Sequence, residues 1–600
     1  MERTTVPRRA AERAATLAEA FRITAAERAD AVAVHTRGGE VAWTWGELRA
    51  RVDALAGGLA GLGVGRGETV ALLLVNRPEF HLCDLAAMSL GAAPFSIYQT
   101  YTPDQIAHVV GDAGARVLIT EPAFLDGVLA ARAQLPALEH VVVLTAGSVP
   151  DGCLRLDEVE GADPGFDVDA AVAAVGPEDV LTLIYTSGTT GPPKGVQLVH
   201  RNLMTAVRGI ETLVRFPDGA RVISWLPAAH IAERAAHHYL PLVYGFEVTS
   251  CPNPRDVVAY LPEVRPHWFF AVPRIWEKLK AGLEAMLAAL PDDQREPAEA
   301  GLEASLRKVR LEQAGAPVPA EIAAAATAAD ERLFAGLRAH LGLDALVAVN
   351  VGAAPTPVEV LEFFHAIGIP VAELWGMSET CGAGCCNPPD RIKIGTVGPP
   401  APGVEVRLAE DGELLVRSDV VMIGYRNLPE QTAEALDAEG WLHTGDIATI
   451  DDDGYVTLVD RKKEIIIGAG GKNVSPANVE ATLKAASPLI GQACVIGDGR
   501  PYNVALVVLD SDFAPAWAAQ HGLDDTSLEA LAADERMRAA VEAGVAAANA
   551  KLARVEQVKR FHVVAGDWLP GGDELTPTMK LKRKPIGAKY AAEIDALYAG

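Results

Sequence analysis

The sequence predicts an α/β protein made of two units. The larger, N-terminal unit has parallel-rich sheets layered with helices, plus a small β unit; the smaller C-terminal unit is again α/β. Three observations predict this. Short apolar strand patterns alternate with helical patterns through the first half of the chain, as in a mostly parallel sheet covered by helices. Residues 403–460 switch to short alternating strands separated by Asp-Gly turns, which suits an antiparallel β unit. A charged break, R-K-K-E at 461–464, follows, and beyond it helices and strands resume. A chain of 600 residues is also too long for one core. The division falls at 1–460 and 461–600.

In chain order, residues 13–63 are helical around a short strand at 32–35. Residues 70–74 read as a buried strand, with a helix through 80–90. The strand theme repeats at 93–97, 117–120 and 140–144, and again at 180–184. Residues 275–342 are rich in Ala, Leu, Glu and Arg and read as a helical insertion. Apolar runs at 346–349 and 369–372 are strand-like. V-E-V-R-L, E-L-L-V-R and Y-V-T-L-V-D are the alternating strands of the β unit. In the C-terminal unit, 479–486 and 528–554 read as helices and 493–496 and 504–509 as strands.

Half of the residues are hydrophobic, and the formal net charge is −26. Such a chain repels nucleic acid on average, so no nucleic-acid partner is expected, and anionic substrates would need local basic groups. Seven cysteines in this length do not form a disulfide framework, which favours a reducing cytoplasm. Cys381, Cys385 and Cys386 lack metal-site spacing and read as small apolar wall residues. The N-terminus has no apolar core of signal-peptide length, and no apolar run is long enough to span a bilayer. Peripheral membrane contact and a homodimer stay open.

The chemistry concentrates in a few segments. Residues 183–195 read L-I-Y-T-S-G-T-T-G-P-P-K-G: hydroxyls, glycines and a lysine directly after a strand. Such a loop can wrap a phosphate chain. Gly188, Gly191 and Gly195 let the backbone approach, Thr186, Ser187, Thr189 and Thr190 add hydroxyl donors, and Lys194 adds charge. It is not a Walker A loop, because Gly195 follows the lysine. A second segment pairs N-V-G-A-A-P, with small Gly352, Ala353 and Ala354, with E-L-W-G-M-S-E-T, residues 373–380. The others are W-L-H-T-G-D ending at Asp446, D-R-K-K-E at 460–464, G-A-G-G-K-N at 468–473, and L-T-P-T-M-K-L-K-R-K at 575–584.

Together these segments resemble the adenylate-forming enzymes, the superfamily of acyl-CoA synthetases, adenylation domains and luciferases. The resemblance runs from about residue 20 to 590. W-L-P-A-A-H-I-A-E-R at 225–234 and V-P-R-I-W-E-K at 272–278 are similar to the long-chain fatty acyl-CoA synthetase branch. The resemblance implies ATP, Mg²⁺ and coenzyme A as cofactor and co-substrates and a fatty acid as substrate. It places the 186–195 loop on the ATP phosphates and Gly352, Ala353 and Ala354 beside the adenine. Trp375 takes the position of the usual tyrosine against that ring, next to Gly376. Ser378 falls near the α-phosphate, Glu379 on Mg²⁺, Asp446 on the ribose hydroxyls and Arg461 near the nucleotide. Lys463 is the pivot of a mobile C-terminal domain, and Gly470 and Gly471 pass the pantetheine arm. Lys580 matches the essential lysine, with Met579 where glycine is common and Lys582 and Lys584 close by. His230 is placed near the acyl carboxylate or as a gate to the acyl pocket, while His237 and His238 read as ordinary neighbours.

Two other readings share these motifs: a fatty acyl-AMP ligase that loads a carrier protein, and a non-catalytic acyl- or nucleotide-binding protein. The basic segment near Lys580 also suits a membrane-surface patch.

Overall fold

The computed structural model describes residues 9–186, 192–468 and 473–599. Its first sheet is fully parallel, with strands in the order Ala93–Ser96, Thr69–Leu73, Val117–Thr120, His140–Val143 and Cys153–Arg155. Successive strand residues face opposite ways, so this sheet divides its apolar residues between two cores. Val70, Leu72, Val117, Ile119 and Val142 join one; Ala71, Leu73, Leu118, Val141 and Val143 join the other. Burial on both faces explains why these strands read as unbroken apolar runs.

Two further sheets are parallel for most of their width. One orders Arg221–Ser224, Glu247–Ser250 and Val32–Thr36, with Ala42–Thr44 antiparallel at its edge. The other orders Trp268–Ala271, Ala348–Val351 and Ala372–Trp375, closed by antiparallel Cys385–Cys386. The expected strand at 346–349 is displaced by two residues, so Asn350 lies inside it. There Asn350 accepts from the Trp268 indole at 2.8 Å and donates to the Ala372 carbonyl at 3.3 Å, tying three strands together. The 275–342 region is helical as expected, with helices Pro273–Ala288, Asp292–Gln313, Ala320–Ala329 and Ala335–Leu341.

The β unit is an antiparallel sheet, Glu405–Leu408, Glu413–Arg417, Leu442–Ile450 and Val456–Arg461. The T-G-D segment lies within its third strand, where Gly445 has a φ of 72° just before Asp446. Left-handed backbone of this kind favours glycine. The C-terminal part builds separate apolar cores around Ile490–Ile496, Asn503–Leu509 and Val558–Val563. Again alternate residues divide: Val495 and Val507 face one core, Cys494 and Leu506 the other. The strand Val558–Val563 and the last helices, Arg583–Lys589 and Ala591–Tyr598, escape the sequence patterns. All seven cysteines are free thiols, and burial raises the pKa of Cys381, Cys385 and Cys386.

Candidate active site

The phosphate-loop motif sits on a hairpin. Strand Val180–Thr186 pairs antiparallel with Lys194–Val199, with Thr186 opposite Lys194. Ser187, Gly188, Thr189, Thr190 and Gly191 lie outside the described residues, as do Gly470 and Gly471. Gly195 has a different reason to be glycine from the one the loop suggested. It belongs to the strand, and a Cβ there would meet the Tyr185 ring at 3.1 Å.

The hairpin leads to Glu379 through a residue the sequence motifs did not single out. Lys194 Nζ stands 5.0 Å from the centre of the Tyr425 ring. The Tyr425 hydroxyl donates to Glu379 Oε1 at 2.8 Å. Strand Gly424–Tyr425 pairs with the hairpin at Gln197 and Val196, which fixes this placement. Glu379 and Ser378 share one helical turn, Ser378–Thr380, and Glu379 is only 7% exposed. Tyr425 follows the apolar run V-V-M-I-G, and no local spacing marks it as part of the site.

Trp375 ends its strand beneath Gly384, where a Cβ would come within 2.4 Å of the indole. Its Nε1–H donates to Asp446 Oδ2 at 2.9 Å. Arg461, opposite Asp446 in the neighbouring strand, pairs through Nε with Asp446 Oδ1 at 2.7 Å. Burial pushes the Asp446 carboxyl above its ordinary pKa, with the Arg461 charge opposing. Gly376 cannot carry a side chain, because a Cβ would overlap the Gly382 carbonyl at 2.2 Å. Gly352 is similarly close to the Leu374 carbonyl, at 3.0 Å. Ala353 adopts a φ of 72°, and Ala353 and Ala354 are exposed on the loop after strand Ala348–Val351.

Lys580 enters from the C-terminal part on a tight turn. Thr576 N donates to the Lys580 carbonyl at 2.8 Å, Met579 N to the Thr576 carbonyl at 2.9 Å, and Lys580 N to Thr576 Oγ1 at 3.0 Å. The Lys580 side chain has open space beside it but is crowded by protein. That crowding, then Arg461, holds its ammonium below the usual lysine value, while Asp446, Glu379 and Glu464 act oppositely. His230 feels the same charge: burial first, then Lys580, lower its pKa to about 4. Lys580, Glu379, Asp446, Arg461 and His230 therefore come together, although they are scattered through the chain. Lys463 is exposed on the turn after Arg461 and is not part of this group. Several basic side chains of the neighbouring segment have internal partners, while Lys584 is exposed. Arg583 pairs with Glu480 at 2.6 Å and Glu464 at 3.1 Å, Lys589 with Glu574 at 2.5 Å, and Lys582 donates to the Gly572 carbonyl at 2.8 Å.

The W-L-P-A-A-H-I-A-E-R segment is held from below by its last two residues. Glu233 Oε1 accepts from Ser224 Oγ at 2.6 Å and Asn76 Nδ2 at 3.1 Å. Its Oε2 accepts from Leu226 N at 3.0 Å and Trp225 N at 3.3 Å, and lies 2.7 Å from His237 Nδ1. Arg234 donates to the Ala228 carbonyl at 3.2 Å, to Tyr239 Oη at 2.8 Å and to Ser96 Oγ at 3.0 Å, and pairs with Asp84 at 2.6 Å. His237 and His238 both take part in this buried network. His238 bridges Asp84 Oδ1 at 2.9 Å and His81 Nδ1 at 2.8 Å, all fully buried. Burial opposes ionisation of Asp84, yet Arg234 and His238 outweigh it and hold the carboxyl low. His230 Nδ1 accepts from Ala232 N at 3.1 Å, capping the next turn and fixing its own ring.

Among the described residues, no group of three or more His, Cys, Asp or Glu side chains is placed to hold a metal ion. No helix among them is long and apolar enough to cross a membrane.

Comparisons with known proteins identify the family of the chain. Residues 21–426 match the AMP-binding enzyme family, and residues 463–600 match the AMP-binding enzyme C-terminal domain. The chain is 50% identical over 452 residues to a Mycobacterium tuberculosis protein named as a fatty-acid–CoA ligase, fadD11, covering 75% of this chain and 79% of that one. It is 36% identical over 576 residues to the long-chain-fatty-acid–CoA ligase FadD15 of Mycobacterium bovis, covering 92% of each. Among solved structures, the anthranilate CoA ligase AuaEII in complex with anthranoyl-AMP superposes with a TM-score of 0.73 at 22% identity, over 97% of this chain and 98% of that one. That likeness bears on the fold.

Proposed function

The chain belongs to the AMP-binding enzyme family, in the long-chain fatty acyl-CoA synthetase branch of the adenylate-forming enzymes, and from that premise we propose that it activates a fatty acid with ATP and transfers the acyl group to coenzyme A. The observation that carries the reading is the meeting of Lys580 with Glu379, Asp446 and Arg461 across the two parts of the chain.

In the first half-reaction a fatty-acid carboxylate oxygen bonds to the α-phosphorus of ATP as the bond to the β-phosphate oxygen breaks. Pyrophosphate leaves and acyl-AMP remains. Two anions must approach, so the barrier is largely electrostatic. Lys580 and Lys194 supply positive charge fixed in place before the reaction, and one such preorganised contact is worth about a hundredfold or more in rate. Lys580 keeps an accessible side chain, so a phosphate oxygen can reach its ammonium, and the protein crowded around it fixes where that charge stands. Asp446 has lone pairs for the ribose hydroxyls, with Arg461 and the Trp375 indole fixing its plane. His230, neutral at ordinary pH, can stand beside the acyl carboxylate without a competing charge.

Mg²⁺ is typically held by one or two carboxylates together with substrate phosphates and water. Glu379 fits that pattern: it is a buried carboxylate in the same recess as Lys580, steadied through one oxygen by Tyr425. Bound there, the ion would offset phosphate charge.

In the second half-reaction the coenzyme A sulfur bonds to the acyl carbon as its bond to the AMP oxygen breaks. The thiol proton is lost to solvent and AMP leaves. We place the pivot for this step at Lys463, on the exposed turn after Arg461. Rotation there would withdraw Lys580 and bring in the 468–473 segment, so no single arrangement need serve both reactions.

The test is mass spectrometry of products from purified protein, ATP, Mg²⁺ and a ladder of fatty acids, with and without coenzyme A. The expected products are acyl-CoA and AMP, with a preferred chain length. Acyl-AMP that persists in the presence of coenzyme A would overturn the acceptor in favour of a carrier protein. No adenylate from any acid would overturn the enzyme reading.

A further inference from the structure

We propose that Trp375 acts through Asp446 as well as through its ring face, and that its indole N–H makes the site selective for a nucleotide with ribose hydroxyls. The inference rests on the reading of Asp446 as the ribose-binding carboxylate.

The geometry is specific to an indole. A tryptophan N–H is a donor only, so its one hydrogen bond fixes both partners. Here that bond goes to Asp446 Oδ2 at 2.9 Å, while Arg461 holds Oδ1 at 2.7 Å. The two donors come from different strands, Ala372–Trp375 and Val456–Arg461, and take one carboxylate oxygen each. A carboxylate has about four lone-pair sites, so each oxygen keeps capacity for one more donor. Two ribose hydroxyls are such a pair. Free rotation of the carboxylate would spoil the match, and the two protein donors remove it.

The ring cannot easily move to give up this bond. Trp375 is 7% exposed, and Gly384 packs so closely that a Cβ would stand 2.4 Å from the indole carbons. Asp446 is buried as well, so loss of one donor would leave a carboxylate oxygen poorly satisfied until a ligand arrives. Tyrosine, the usual residue of the resemblance, offers a π face but no N–H at this place on the ring. Trp375 therefore assigns two tasks to one side chain, and they are separable by chemistry.

The experiment compares ATP with a dideoxy-ATP lacking both ribose hydroxyls, in fatty-acid-dependent ATP–pyrophosphate exchange. It uses wild type, Trp375→Phe, and protein with benzothienylalanine placed at 375. The last keeps the bicyclic face and replaces N–H with sulfur. The expected result is that both substituted proteins lose about tenfold of the wild-type preference for ATP over dideoxy-ATP in kcat/KM, the scale of one hydrogen bond to a charged group. Asp446→Asn should lose that preference too, and combining it with Trp375→Phe should add little further loss. An equal effect on both nucleotides would overturn the proposal and leave Trp375 as a ring face only. Calorimetric binding of AMP against its dideoxy form separates this from the functional reading. A preference there that survives benzothienylalanine also overturns the role of the N–H, whether or not the protein turns over a fatty acid.

Discussion

Single residues carry the sharpest departures from what their neighbours suggest. Met579 precedes the Lys580 position and has a φ of 66°, a backbone state that costs an ordinary L-residue about 1 kcal/mol or more. Glycine is the common residue of the resemblance there, and the structure supplies the reason. The turn needs left-handed backbone to aim Lys580 into the recess. Met579→Gly is therefore expected to keep adenylation and cost no stability, measured by pyrophosphate exchange and urea unfolding. Met579→Val, β-branched and ill-suited to positive φ, should slow adenylation about tenfold or more through misplacement of Lys580. Equal activity of the two variants would remove the turn from the account. Much of the site is legible at this scale, because Lys194, Glu379, Asp446 and Lys580 each sit in a short motif whose spacing is local. Tyr425 is not: its bond to Glu379 spans 46 positions, and nothing near it in sequence announces it.

At the scale of elements, the strand Val180–Thr186 was legible as an apolar run stopped by glycine and proline, but its hairpin partner Lys194–Val199 read as loop, and the apolar run at 369–372 only touches the start of the strand Ala372–Trp375. The register that sets Asp446 beside Arg461 was not legible, because it depends on how two strands of the β unit pair across a bulge. The segment before His230 shows a second limit. Charged residues are usually exposed, yet both side chains of its E-R pair are fully buried and bind the backbone of the segment that precedes them. Such a network is costly to break, since each lost bond strands a buried partner. Glu233→Gln keeps the shape but turns one acceptor oxygen into a donor facing other donors. Stability should fall by about 3 kcal/mol in urea unfolding, with adenylation slowed as His230 loses its fixed position. Unchanged stability would mean that the five contacts to Glu233 contribute little.

At the scale of the whole molecule, the apolar core of the large part reaches Val456 and that of the small part begins at Ile466, so few apolar contacts hold the two together. Ionic contacts do so instead. Arg274 pairs with Asp510, Lys278 with Asp512, and Lys551 with Glu359 at 2.5 Å. The V-P-R-I-W-E-K segment thus also docks the C-terminal part, a role invisible in its sequence because the partners lie more than 200 positions away. A contact built from charges separates at smaller cost than one built from buried apolar surface, which suits the rotation proposed for this unit. In the arrangement described, Lys580 faces Glu379, Asp446 and Arg461 and Lys463 is on the exposed turn, which is the arrangement proposed above for adenylation. The most direct measurement follows from that division of labour. In Lys580→Ala, the rate of pyrophosphate exchange should fall about a hundredfold or more, while thioester formation from supplied acyl-AMP and coenzyme A stays near the wild-type rate. Equal loss in both half-reactions would contradict the account.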